Sequence, residues 1–114
     1  MKVMTQLSVA RKYTCPCCGY PELESPAYSL ALQPPFLRDI SPPYCQYLGE
    51  PSYDVCPSCG FEFGFDDEPD TASPQSFEEY RGEWIRDGCQ WFDLSKKPGE
   101  WNLEMQLRVA RILD

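Results

Sequence analysis

Two short stretches decide how this chain folds: Cys15-Pro16-Cys17-Cys18-Gly19 and Cys56-Pro57-Ser58-Cys59-Gly60. Each reads C-P-x-C-G. Thiolates at C-x-x-C spacing reach one ion because the chain between them turns tightly. The glycine that follows lets the backbone double back beneath the metal. Amides in such a turn point at the sulfurs and stabilise their charge. Two such turns specify a tetrahedral four-thiolate site, assigned to Cys15, Cys18, Cys56 and Cys59. The shared register leaves Cys17 in the turn and off the metal, with exchange between Cys17 and Cys18 as the alternative. Cys45 and Cys89 lack a C-x-x-C partner and read as small buried hydrophobes, a redox pair being the alternative.

Four thiolates close the coordination sphere and leave no position for water. The chain has no histidine, so a mixed-ligand catalytic zinc and a histidine-activated nucleophile are both disfavoured. No glycine-rich phosphate loop is present. Zinc is the expected ion. Iron in an electron-transfer site, with knuckle spacing similar to rubredoxins, is the alternative.

Outward from the knuckles, 114 residues suit one domain. It divides into a knuckle region over 1–65 and a helical part over 76–113. Eighteen acidic against ten basic residues give a net charge of -8. That balance repels phosphate backbones, so no nucleic-acid partner is expected. No apolar run is long enough to cross a bilayer, and Met1 to Tyr13 carries no secretory core. Seven cysteines in a chain read as leaderless point to a reducing compartment, with the cytoplasm as default.

Residues 7–14 alternate imperfectly, and either a strand or a short helical turn leads into the first knuckle. Pro21, Pro26, Pro34, Pro35, Pro42, Pro43 and Pro51 forbid a long helix or central strand between the knuckles. An irregular excursion is expected there, with one short helical turn near Phe36 to Ile40. Its aromatic and aliphatic residues, Tyr28 and Tyr44 among them, are able to pack. Ser52 to Val55 reads as a short strand. Phe61-Glu62-Phe63-Gly64-Phe65 alternates like a strand with one aromatic face, before the acidic turn Asp66-Asp67-Glu68-Pro69-Asp70. Ser76 and Glu79 form a capping box for a helix over 76–87. Phe77, Tyr80, Trp84 and Ile85 make its apolar stripe, and Gly88 its left-handed C-terminal cap. A second helix is expected from about Asn102 to Ile112, with Leu103, Leu107 and Ala110 on one face and Glu104–Arg108 as an i, i+4 pair.

Asp66, Asp67, Glu68 and Asp70, with Glu78, Glu79 and Glu83 on the outer side of the first helix, read either as solvated acids or as a patch for a basic protein. Calcium binding is disfavoured, because the run lacks the alternation and distal glutamate of a calcium loop. Trp84, Trp91 and Trp101 with Phe77 and Phe92 read as core.

The order of these motifs has a wider likeness. The stretch Ser52-Tyr53-Asp54-Val55-Cys56-Pro57-Ser58-Cys59-Gly60-Phe61-Glu62-Phe63-Gly64-Phe65-Asp66-Asp67 is followed by Ser76-Phe77-Glu78-Glu79-Tyr80-Arg81. Trp84, Gly88, Trp91-Phe92, Lys97-Pro98, Trp101-Asn102-Leu103 and Gln106-Leu107 come next. The chain resembles a group of small bacterial proteins related to the cysteine-rich CPCC domain, departing from them in an insertion at about 28–47. The resemblance implies a zinc-ribbon-like domain with a helical C-terminal part, and no established activity. Neutralisation of a toxin enters by analogy alone. The expectation is therefore an α+β fold of knuckle hairpins, a short antiparallel sheet and two C-terminal helices. Its expected role is that of a non-enzymatic zinc-binding protein with an acidic face for a basic partner.

Overall fold

The computed structural model describes residues 12–30, 34–36, 40–70 and 72–112. Among the described residues three helices form: α1 (Cys45–Leu48), α2 (Phe77–Arg86) and α3 (Leu103–Val109), with a 3-10 turn at Leu94–Lys96 between the last two. The expected helical turn near Phe36 to Ile40 falls partly outside the described residues. Among the described residues of the excursion, the helical turn is α1.

The two knuckles are built alike. In the first, Gly19 N–H donates to the Cys15 carbonyl (2.9 Å) and Cys15 N–H to that of Tyr20 (2.8 Å). In the second, Gly60 N–H donates to Cys56 (2.9 Å) and Cys56 N–H to Phe61 (3.0 Å). Gly19 and Gly60 take φ of 89° and 86°, the left-handed conformation that glycine adopts without strain.

The expected antiparallel sheet does not form. Among the described residues there is no strand, only isolated bridges pairing Tyr13 with Leu23, Tyr28 with Pro51, and Val55 with Glu62. The lead-in strand expected over 7–14 lies mostly outside the described residues. Two local features stop the second hairpin from extending. On one side Tyr53 sits at φ 63°, which breaks extended pairing. On the other, carboxylates capture backbone amides: Asp66 accepts from Glu62 N–H (2.7 Å) and Asp67 from Gly64 N–H (2.8 Å). Side-chain acceptors of this kind compete with a strand ladder and curl the chain into a turn. The alternation of Phe61, Phe63 and Phe65 is thus not that of a strand. Phe61 and Phe63 are buried, while Phe65 is half exposed.

α2 follows from its sequence. The Ser76 side chain accepts from Glu79 N–H, and the Glu79 carboxylate from Ser76 N–H, each at 3.0 Å. At the far end Gly88 stands at φ 96°. Cys89 N–H reaches the Trp84 carbonyl (2.8 Å) and Gly88 N–H that of Ile85 (3.1 Å), the paired bonds of a Schellman ending. α3 closes in the same way, with Ile112 N–H on Leu107 (2.9 Å) and Arg111 N–H on Arg108 (2.9 Å). This ending, with Arg111 at φ 60°, stops the helix short of Ile112. Asn102 caps its start through Met105 N–H (2.9 Å).

The core is aromatic. Tyr44 stacks on Phe77 with centroids 4.0 Å apart, and Phe61 meets Phe77 and Tyr80 edge-on at 5.2 and 5.0 Å. A second run of rings links Tyr20 to Trp91 (5.7 Å), Trp91 to Trp101 (5.6 Å) and Trp101 to Trp84 (6.1 Å). Phe92 departs from the core reading and is exposed, as are Ile85 and Val109.

Asp67 is a charged member of this interior. Its side chain is fully buried. One oxygen accepts from the Tyr28 hydroxyl (2.8 Å) and from Tyr44 N–H (3.2 Å), the other from Gly64 N–H. A buried carboxylate persists only with such partners. Replacing Asp67 by Asn keeps the shape but puts an amide donor against N–H and O–H donors. The expected loss is about 2–3 kcal/mol in urea unfolding.

Two glycines separate backbone cost from packing cost. At Gly88 an added Cβ would meet only the Gln90 side chain at 3.7 Å. Gly88→Ala should lose roughly 1–2 kcal/mol, from the left-handed backbone alone. At Gly19 the same carbon would lie 2.8 Å from the Gln106 carbonyl oxygen and 2.9 Å from the Ala110 Cβ. Gly19→Ala should therefore cost more, about 2–4 kcal/mol, because α3 must also move. Urea unfolding of the two variants side by side checks the difference.

Candidate metal centre

The knuckle turns deliver Cys15, Cys18, Cys56 and Cys59 to one point, with their sulfurs all within 4.8 Å of one another. The Cys18 and Cys56 sulfurs stand 3.7 Å apart. Sulfurs about 2.3 Å from a tetrahedral ion lie about 3.8 Å from each other, so the donor set fits an ion at its centre. Cys15, Cys18 and Cys56 are completely buried and Cys59 is 5% exposed. Such a cluster, if it holds a metal ion, holds it away from solvent and with no protein-free coordination position. That is the architecture of a structural centre.

The surroundings are arranged for negative sulfur. Cys17 N–H points at the Cys15 sulfur (3.3 Å), and the buried Ser58 hydroxyl serves Cys18. Burial pushes the Cys15 thiol well above its ordinary value, and neighbouring thiols reinforce the rise. Cys59 moves the same way, burial again leading. At Cys18 burial works against charge too, but hydrogen bonds from Cys15, Cys56, Cys59 and Ser58 together override it and hold this thiol well below its usual range. One sulfur is thus readily charged while two resist charge, and a cation is what allows all four to ionise.

Both longer helices brace the site through its backbone. Arg81 of α2 donates to the Cys17 carbonyl (2.8 Å), bringing a positive group to the edge of the cluster. Gln106 of α3 donates to the Cys18 carbonyl (3.0 Å) and reaches the Ser58 hydroxyl (3.4 Å). Its own amide oxygen accepts from the Trp101 indole (2.8 Å). No spacing rule marks Arg81 or Gln106 in advance. The signal available was a polar residue at an inward helical position, three residues after Leu103 in the case of Gln106.

The remaining cysteines are placed apart from the four. Cys17 is completely buried, and its thiol donates to the Phe77 carbonyl (3.6 Å). Cys45 is half-buried rather than core, with its thiol 3.4 Å from the Glu68 carboxylate. Cys89 is half-buried at φ 54°.

The acidic residues divide. Asp67 is interior, so it is not surface for a partner, contrary to the sequence reading. Asp66 is half-buried and used by Glu62 N–H. Glu68, Asp70, Glu78, Glu79 and Glu83 are exposed. Of these Glu79 is held in the capping box, and Glu83 accepts from the Gln75 amide (3.2 Å). Among the described residues no helix is long and apolar enough to cross a membrane.

Two proteins of Bacillus subtilis (strain 168) are similar to this chain, both described as uncharacterized. YoaQ is 30% identical over 91 residues, which covers 70% of this chain and 63% of YoaQ. YozI is 29% identical over 98 residues, covering 77% of this chain and 69% of YozI. The chain thus spans less than two thirds of YoaQ. No family model matches the chain, and no solved structure matches it.

Metal uptake by this cluster must displace protons, because ligating cysteines bind as thiolates. Cys15 and Cys59, whose values are raised, keep their protons through neutral pH without a cation. Lower pH therefore favours the metal-free form, and apparent affinity should climb steadily from about pH 6 to 8. Competition against a chromophoric chelator across that range checks the slope. A flat profile would contradict ligation by these thiols.

Proposed function

We propose that the protein is a non-enzymatic, cytoplasmic zinc-binding protein in which the metal staples the fold and an acidic surface meets a basic protein. The observation that carries this reading is the closed, buried set of four sulfurs. It offers structure and no place for a substrate. Zinc is favoured over other ions because four thiolates in a tetrahedron are its usual structural set. The proposed contact surface comprises Asp66, Glu68 and Asp70 on the turn, and Glu78, Glu79 and Glu83 on α2. Asp67 is excluded by its burial. The net charge of -8 supports a basic partner, since complementary charge speeds encounter and selects against acidic competitors.

Elemental analysis of purified protein should give one zinc per chain and a colourless solution. A red protein with iron would replace this reading with electron transfer. Cys56→Ser should lose the metal and most of the cooperative melting transition, because binding energy at such a site is folding energy. For the surface, Glu78→Lys with Glu83→Lys should leave folding intact and abolish co-purification of a basic protein at low salt. Capture that ignores both the charge reversal and the salt would refute the acidic contact.

A further inference from the structure

A groove of about 600 Å³ opens between the first knuckle and α3, within the roughly 300–1,000 Å³ of sites that take ligands. The knuckle contributes Gly19, Tyr20 and Glu22 to its lining, and α3 contributes Met105, Gln106 and Val109. These two elements are fastened together. Gln106 donates to the Cys18 carbonyl (3.0 Å), and Gly19 lies so close to Gln106 and Ala110 that a Cβ there would meet both. The groove is therefore a fixed feature of the fold. Trp91 and Trp101 also line it. Met105 and Val109 stand one helical turn apart and are 61% and 65% exposed, an apolar ridge turned to solvent. Carboxylates accompany this apolar surface. Glu22, Glu24 and Glu100 line the groove and are exposed, and among the described residues none of them is in an ion pair. A second cavity of about 250 Å³ shares Glu22 and Glu24 with the groove and adds Asp54. Lys12 and Lys96 are the opposing charges, so four carboxylates stand against two ammonium groups.

We propose that this groove docks a short segment of the partner protein, apolar at its centre and basic at its flanks. An apolar side chain of the segment packs against Trp101, Met105 and Val109, and its lysines or arginines meet Glu22, Glu24 and Glu100. This rests on the basic-partner reading above and gives the two surfaces different work. The exposed acids of the 66–70 turn and of α2 act at a distance, where charge speeds encounter. The groove supplies the close contact, because aromatic and apolar anchors that become buried carry most of the binding energy of an interface. The unpaired carboxylates set the sign of the segment. They repel an acidic one, and a purely apolar one leaves them unmatched.

The test places the photo-crosslinking residue p-benzoylphenylalanine in the full chain, at Val109 in one sample and at Glu78 of the α2 surface in another. Both positions are exposed, so the fold is kept. The cells that make the protein are irradiated, and the cross-linked peptides are sequenced by mass spectrometry. From Val109 the cross-link should fall on one segment of a basic protein, with an apolar residue flanked by lysine or arginine. Its yield should drop about tenfold when Glu22→Lys and Glu24→Lys are introduced together, and again with Met105→Asp alone. A Val109 cross-link to an acidic segment, to a second copy of this chain, to the chain's own residues or to a lipid overturns the inference. So does a yield that ignores both sets of substitutions. If Glu78 captures a basic protein while Val109 captures nothing, the groove is not its seat, and the basic-partner reading stands without it. If neither position captures a basic protein, that reading falls as well, which is a distinguishable failure.

Discussion

Four sulfurs within 4.8 Å of one another in a dry interior are a demanding arrangement. As thiolates they repel each other, and burial denies them water. Their ionised form therefore depends on a cation, and the rest of the molecule depends on their meeting. Cys18 and Cys56, whose sulfurs touch, are 38 residues apart in the chain. Closing that loop costs chain entropy, which a domain with no strand among its described residues has little other means to recover. A metal joining the two knuckles would supply it in one step, as structural zinc does in small domains.

The helices make the arrangement a fold rather than a clip. α2 and α3 each contribute a buried aromatic or aliphatic face, and each also sends a polar side chain to a knuckle carbonyl. Arg81 goes to Cys17 and Gln106 to Cys18. Two backbone oxygens that the tight turn cannot satisfy internally are thereby met from the C-terminal half. Disturbing the helices thus disturbs the ligand geometry, and the two halves of the chain stabilise each other.

How much of this was legible depends on the range of the interaction. The ligand spacing, the capping box of Ser76 and Glu79, and the glycine ending of α2 are local patterns, and each is found where the pattern puts it. The sheet was misread because its evidence was also local. Phe61, Phe63 and Phe65 alternate as in a strand, yet amide capture by Asp66 and Asp67 and the left-handed Tyr53 decide the backbone. An acidic run looks alike whether its members face water or the interior. Asp67 is distinguished from Asp66 by Tyr28 and Tyr44, which lie far away in sequence. Cys17 is a similar case: its buried thiol meets the carbonyl of Phe77, 60 residues away, a partner with no signature in the chain.

The burial of Asp67 has a consequence for the proline-rich excursion. Tyr28 and Tyr44, near its two ends, bind the same carboxylate and pack edge-on with centroids 6.3 Å apart. Beneath them Ser29 and Leu30 N–H donate to Glu50 and Leu48, and Ser52 N–H to Ala27. The segment between the tyrosines is therefore a lasso knotted at its base. Each doubling of its length costs about 0.6 kcal/mol of loop entropy, while Ile40 within it packs against the core. Residues can be gained or lost inside the noose with little effect on the knuckles, so this is where a lineage is free to vary the chain.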